Sequence, residues 1–339
     1  MKILVTGSAG FIGGYLVQEL LENGYDVVGI DNFSKYGKIE KSYDNHPHYR
    51  FISGDIKDTN LLKEALTDCD YLIALAAKIG GISYFHTYAY DLLAENERIT
   101  AATFDAAINA FQNHSLKKIV VVSSSMVFES SNTFPTPESV LSSTPPPKST
   151  YGFQKLATEY FAKGAWEQYK LPYTIIRPFN CVGIGESKAL GGKEIKSGNV
   201  TLAMSHVIPD LVQKILKGQD PLHLLGDGNQ VRCYTYGKDI ARGIVKAMVS
   251  TKAKNEDFNI STETATSVLE LAELIWGKIN SDNPFRYVAD KPFVYDVQKR
   301  IPDVTKAKKV LDFTATTSLD SMLDEIIPWI EKQIKIGKI

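Results

Sequence analysis

The 339-residue chain predicts an α/β fold: a doubly wound parallel sheet with a smaller α/β substrate-binding lobe. Three observations carry that prediction. Short apolar runs, suited to strands buried on both faces, alternate with segments of helical spacing through the first half. A glycine-rich turn joins the first such strand to the first helix. Further on, Tyr151 and Lys155 stand four residues apart in Y-G-F-Q-K, so that a helix would present both on one face.

The elements follow in order. Ile3 to Val5 is the first apolar run, and Gly7, Gly10 and Gly13 come next at three-residue spacing. Ile12, Leu16 and Leu20 then recur at helical spacing until Asn23-Gly24 supplies a stop. A strand, a glycine turn and a helix in that order form a phosphate cradle. The glycines let the backbone approach a pyrophosphate, and the helix N-terminus offers it free N–H groups. The second strand, Asp26 to Ile30, runs into Asp31, whose carboxylate can accept hydrogen bonds from ribose hydroxyls and would repel a 2′-phosphate. A Rossmann-like dinucleotide site with NAD rather than NADP is therefore expected.

Tyr49 to Ser53 is the third strand. After it, Asp55 stands either where a carboxylate meets an adenine amino group or where it caps a helix. Tyr71 to Ala77, Lys118 to Ser123 and Thr174 to Arg177 complete six strands, with a helix from about Asn96 to Phe111 before the fifth. Right-handed crossovers place ligands beyond the C-terminal strand ends. Gly7, Asp31, Lys78, Ser124 and Asn180 converge there.

Composition narrows the class. The net charge is −1, without a basic run or low-complexity tract, so neither nucleic acid nor a membrane surface is an expected partner. The N-terminal apolar run is too short for a signal-peptide core, and no stretch reaches the ~18 apolar residues of a span. Cys69, Cys181 and Cys233 are widely spaced, odd in number and form no metal-site pattern. A cytoplasmic globular enzyme without a metal is expected.

The Tyr151–Lys155 pair supplies chemistry. A nearby ammonium favours phenolate and lowers a tyrosine pKa from about 10, which makes Tyr151 a candidate general base for a sugar or alcohol hydroxyl.

Several motifs now stand in one order: T-G-S-A-G-F-I-G, Asp31-Asn32, Ala76-Ala77, Asn96, the serines at 123–125, Y-G-F-Q-K and R-P-F-N at 177–180. I-P at 208–209, L-G-D-G-N-Q-V-R at 225–232 and R-I-P-D-V-T-K-A at 300–307 continue it. The chain resembles the extended short-chain dehydrogenase/reductases of the nucleotide-sugar epimerase/dehydratase family over nearly its whole length. That resemblance implies Ser124, Tyr151 and Lys155 as the catalytic set, with Ser125 as the neighbouring alternative to Ser124. It implies a cofactor site of Gly7, Gly10, Phe11, Ile12, Gly13, Asp31, Asn32, Asp55, Ile56, Leu75, Ala76, Ala77, Lys78, Asn96, Ser123 and Pro178, together with Tyr151 and Lys155. Asn96 would be structural, in a helix that pairs with the Tyr-Lys helix of a second subunit, giving a homodimer. The implied substrate set is Lys78, Ser124, Ser125, Met126, Tyr151, Asn180, Asn199, His206, Arg232, Arg300 and Asp303. Arg232 and Arg300 would clamp the diphosphate, Asn180 would bond a phosphate or the sugar, and Asp303 would meet the nucleotide ribose. Residues 1–180, with segments at about 235–265 returning to them, would hold NAD, and 181–339 would mainly hold the nucleotide sugar. Within the second part, 183–199 reads as a long mobile loop.

Departures from the family pattern select among its reactions. The acidic pair of the 4,6-dehydratases is replaced by Ser125 and Met126, and the glutamate common in the decarboxylases is also Met126. Reductase-epimerases share the look of Lys78 to Ile82, but carry a cysteine at Met126 and usually prefer NADP, against Asp31. Where the family often continues R-D-F-x-Y-V, this chain has Cys233-Tyr234-Thr235-Tyr236-Gly237 after Arg232, a change expected to alter strand packing rather than chemistry. His86 and His206 lack nameable partners and are not expected to be catalytic. The preferred expectation is NAD-dependent 4-epimerisation of a nucleoside diphosphate sugar with uridine as the base. Dehydration and decarboxylation by the same Ser-Tyr-Lys step are the alternatives, and a non-catalytic NAD-binding regulator is a remote one.

Overall fold

A computed structural model describes residues 1–79, 88–186, 206–292 and 297–338. The chain opens with β1 (Lys2–Thr6), α1 (Phe11–Glu22), β2 (Asp26–Asp31), β3 (Tyr49–Ser53), α2 (Thr59–Leu66) and β4 (Tyr71–Ala74). It continues through α3 (Ala89–Asn113), β5 (Lys118–Val122), α4 (Thr150–Tyr169) and β6 (Tyr173–Pro178). After β7 (Cys181–Val182) come α5 (Val207–Leu216), β8 (Leu222–Leu225), β9 (Val231–Arg232), β10 (Thr235–Tyr236) and α6 (Gly237–Val249). The last elements are β11 (Glu256–Ile260), β12 (Thr266–Ser267), α7 (Val268–Ile279), β13 (Tyr287–Asp290), β14 (Lys299–Arg300), α8 (Thr305–Leu311) and α9 (Leu319–Lys335). Among the described residues, no helix is long and apolar enough to cross a membrane.

Seven parallel strands form the central sheet in the order β11-β6-β5-β4-β1-β2-β3. Alternation along β1 divides the core. Ile3 and Val5 pack with Leu16 of α1 and Ile244 of α6, while Leu4 packs on the other face with Leu62 of α2, Phe104 of α3 and Ala162 of α4. The order reverses between β1 and β4, so the crevice where dinucleotides bind opens above that pair. β4 stops at Ala74 instead of reaching Ala77, because the N–H groups of Leu75 and Ala76 turn to the Thr6 hydroxyl, at 3.1 and 3.2 Å. The seventh strand, β11, is absent from the sequence reading. A third core fills the later lobe, joining Leu211 of α5, Leu222 of β8, Ile275 of α7 and Ile326 of α9.

Two further contacts brace the site. Tyr15 of α1 reaches the later lobe: its hydroxyl accepts the Ile184 N–H at 2.8 Å, and its ring fills the space that a Cβ on Gly183 or Gly237 would need. Deeper, Arg177 of β6 is fully buried and donates from Nε and Nη2 to the buried Glu159 of α4, both at 2.8 Å. Ser123 donates to the same carboxylate at 2.6 Å, and Asp257 of β11 meets Arg177 at 2.7 Å. Burial opposes the guanidinium charge, but Glu159 and Asp257 more than offset it and raise the Arg177 pKa. Removing one partner of such a pair strands the other charge out of water. Glu159→Gln is therefore expected to cost about 3–5 kcal/mol of unfolding free energy, read as a lowered midpoint in urea denaturation.

Candidate active site

The glycine turn fits a pyrophosphate. Gly7 sits at φ +73°, a conformation that favours glycine, and a Cβ there would lie 2.9 Å from Ala76 Cα. A Cβ on Gly13 would lie 2.1 Å from the Gly7 carbonyl oxygen, so the first turn of α1 can pack this closely only without a side chain. Gly10 caps α1 with no side-chain bond, which leaves the helix N-terminus open to an anion. Phe11 and Ile12 complete the cradle. At the end of β2 the Asp31 carboxylate accepts from Phe33 N–H at 2.7 Å and Ala9 N–H at 3.2 Å. Burial pushes its pKa up against those bonds. Asp55 accepts from Lys57 N–H at 2.9 Å, but the cap of α2 is Asp58, so the helix-cap alternative for Asp55 does not hold.

All these groups open on one cavity of about 610 Å³. Asn32, Ile56, Leu75, Ala76, Ala77, Lys78, Ser123 and Pro178 line it as well. Asn96 stands behind the wall. Its side-chain oxygen accepts from Lys78 N–H at 2.7 Å and its amide donates to the Lys78 carbonyl at 2.9 Å, which fixes the backbone from which Lys78 enters the cavity.

Past the end of β5, Ser124, Ser125, Met126, Tyr151 and Lys155 meet in the same cavity. Ser149 caps α4 by accepting from Gly152 N–H, and the helix puts Tyr151 and Lys155 one turn apart, both buried. The Ser124 side chain hydrogen-bonds Tyr151 and accepts from Met126 N–H at 3.2 Å. Burial raises the Tyr151 pKa, while Ser124 and the charge of Arg300 pull it down. Lys155, expected to add to that pull, donates its ammonium to the Val122 carbonyl at 3.0 Å, and burial brings its own pKa down to about 8. Arg300, distant in sequence, is a cation acting on the phenol.

The rest of the cavity belongs to the later lobe. Arg300 and Arg232 are direct register partners across β14 and β9, so the sheet sets two guanidinium-bearing residues side by side. Asn180 lines the wall at φ +36°, and its buried Nδ2 has no hydrogen-bond partner among the described residues. His206, at the head of α5, lines the cavity and bonds the buried Glu186. Asp303 does not join them: its carboxylate accepts from Thr305 N–H at 2.8 Å, at the start of α8, and it is not part of the cavity wall. Asn199 and His86 lie outside the described residues, as does most of the 183–199 segment.

The profile of the NAD dependent epimerase/dehydratase family matches residues 3–261. The chain belongs to that family. It is accordingly an NAD-dependent enzyme of the nucleotide-sugar epimerase/dehydratase type, and the glycine cradle suits that cofactor. A UDP-N-acetyl-alpha-D-glucosaminuronate decarboxylase of Bacillus cytotoxicus is 30% identical over 339 residues, covering 98% of each chain. A UDP-glucose 4-epimerase of Thermotoga maritima, solved with UDP-glucose, is 30% identical with a TM-score of 0.81, over 98% of this chain and 100% of that one. A UDP-glucuronic acid 4-epimerase from Bacillus cereus, solved with UDP-glucuronic acid and NAD, is 28% identical with a TM-score of 0.82, over 98% of this chain and 99% of that one.

Within this epimerase/dehydratase frame the cavity holds groups that motif reading passed over. Lys35 lines it and lies in the field of Glu186. Asp210 and Lys214 of α5 pair at 2.8 Å on its wall. Tyr234, expected to matter only for strand packing, lines it too. Their signal was faint, since each is a single polar residue without a motif of its own.

The electrostatics make one prediction about pH. Arg300 stabilises the phenolate of Tyr151, so removing its charge raises the tyrosine pKa. For Arg300→Met, the rise of kcat/KM with pH is expected to move to higher pH, whereas Arg300→Lys leaves it in place. Full pH profiles of kcat/KM for the two variants and the wild type check this.

Proposed function

We propose that this enzyme inverts C4 of a UDP-sugar through a transient 4-keto sugar. The observation that carries the reading is the Ser124–Tyr151 hydrogen bond with Lys155 one turn on, beside Ser125 and Met126 in the same cavity. The cavity carboxylates Asp31, Asp55, Glu95 and Asp210 are engaged with other groups: Asp31 with Ala9 and Phe33, Asp55 and Glu95 with Lys57, Asp210 with Lys214. Met126 occupies the place where an acid would drive elimination. The Thermotoga and Bacillus cereus relatives, named for 4-epimerisation of UDP-sugars, support the same choice.

NAD, when bound, takes up and returns the reducing equivalent at C4. Tyr151 removes the C4 hydroxyl proton, and Ser124 holds hydroxyl and phenol in line. Lys155 keeps one proton on the Val122 carbonyl and turns the others to the cofactor ribose. Arg232, Arg300 and Asn180 grip the diphosphate, leaving the keto sugar free to turn about its bonds to phosphate. Once the keto sugar presents its opposite face, Tyr151 returns the proton to the C4 oxygen. In this scheme residues 1–180 and the returning segment near 235–265 hold NAD, and the remainder holds the nucleotide.

A homodimer belongs to the proposal. Phe153, Tyr160 and Phe161 stand exposed on α4, and Tyr90 on the adjoining α3. A second copy laid on this apolar face would cover it with the same two helices.

Three measurements test these points. Incubation without added coenzyme with UDP-glucose, UDP-glucuronic acid and UDP-N-acetylglucosamine is expected to give a product of unchanged mass with inverted C4 proton coupling. Tyr151→Phe should lower kcat by about 10²–10⁴-fold with NAD content intact. Loss of water or carbon dioxide in the mass spectrum would replace epimerisation by dehydration or decarboxylation, the latter being the named reaction of the Bacillus cytotoxicus relative. Light scattering should report a dimer for the wild type and a monomer for Tyr160→Glu; equal masses would remove α4 from the interface.

A further inference from the structure

Tyr234 lies between β9 and β10 with only 3% of its surface exposed, and its ring packs in the core of the later lobe. Its hydroxyl oxygen is buried and has no hydrogen-bond partner among the described residues. A phenylalanine would fill the same core without leaving a polar atom unsatisfied, so packing does not account for the hydroxyl. The residue lines the cavity. Arg232 is two positions back along the chain, Arg300 is the register partner of Arg232, and the charges of both arginines reach the phenol. Burial nonetheless raises its pKa strongly, so at neutral pH it is a hydrogen-bond donor and not a second base.

A donor beside two guanidinium groups calls for an anionic ligand rich in acceptor oxygens. The unpartnered Asn180 amide on the same cavity wall asks for the same thing. We infer that the Tyr234 hydroxyl donates a hydrogen bond to the diphosphate of the nucleotide substrate, as a neutral third arm of the arginine clamp. The inference rests on the nucleotide-sugar reading and adds a residue that motif comparison treats as packing.

The test is Tyr234→Phe in the NAD-loaded enzyme, with UDP as the calorimetric probe. Affinity for UDP should fall about tenfold, the worth of one hydrogen bond to a charged group. KM for the sugar nucleotide should rise in parallel with kcat within about twofold, as for uniform binding. The Tm of the UDP-free protein should stay level or rise, because an unsatisfied buried hydroxyl has been removed. Unchanged UDP affinity would overturn the inference while leaving the nucleotide-sugar reading intact. A clear drop in the Tm of the UDP-free variant would also overturn it, by assigning the hydroxyl a structural partner. A wild type that does not bind UDP would fail the functional reading and the inference together.

Discussion

The buried Arg177–Glu159 pair is the constraint on which the site depends. A carboxylate and a guanidinium removed from water must find their partners in one another and in neighbouring polar groups, and that requirement fixes geometry more tightly than apolar packing does. Glu159 takes both bonds from Arg177 and one from Ser123. The end of β5, helix α4, strand β6 and strand β11 are therefore tied at one point. Ser124 follows Ser123 directly, and Lys155 lies one turn before Glu159. The relative positions of serine, tyrosine and lysine are thus set largely from behind the cavity, by the buried Arg177 and Glu159.

Charge is distributed along the cavity in a way that matches this frame. Carboxylates gather where β2 and β3 end, and arginines where β9 and β14 meet. The phenol stands near the second set, and Arg300 acts on its protonation. In the proposed scheme the residue that grips the substrate thereby also conditions the base, and an anion seated on Arg300 would offset part of the charge that Tyr151 feels. Substrate binding and proton transfer would then be coupled through one side chain.

The fold was legible where a strand is apolar throughout and followed by glycine or helical spacing, as in Ile3–Val5 and Lys118–Val122. β11 escaped because Glu256 and Asp257 open it with charge, and Asp257 is an ion-pair partner instead of a surface residue. Cofactor residues near the glycine turn are local in sequence and were readable as motifs. The buried pair and the Arg300–Tyr151 influence join residues from different elements, and periodicity carries no signal for such meetings. Asp303 shows the opposite limit: the motif around it stands in register, yet its carboxylate serves the start of α8.

Tyr15 gives the two lobes a common fate. Its hydroxyl holds Ile184, and its ring occupies the room left by the bare Cα atoms of Gly183 and Gly237, while the helix that carries it is the one whose first turn forms the phosphate cradle. Any rotation of the later lobe must push on that helix through a rigid aromatic wedge. The later lobe and the cradle are therefore mechanically coupled, so that a displacement of one is felt at the other.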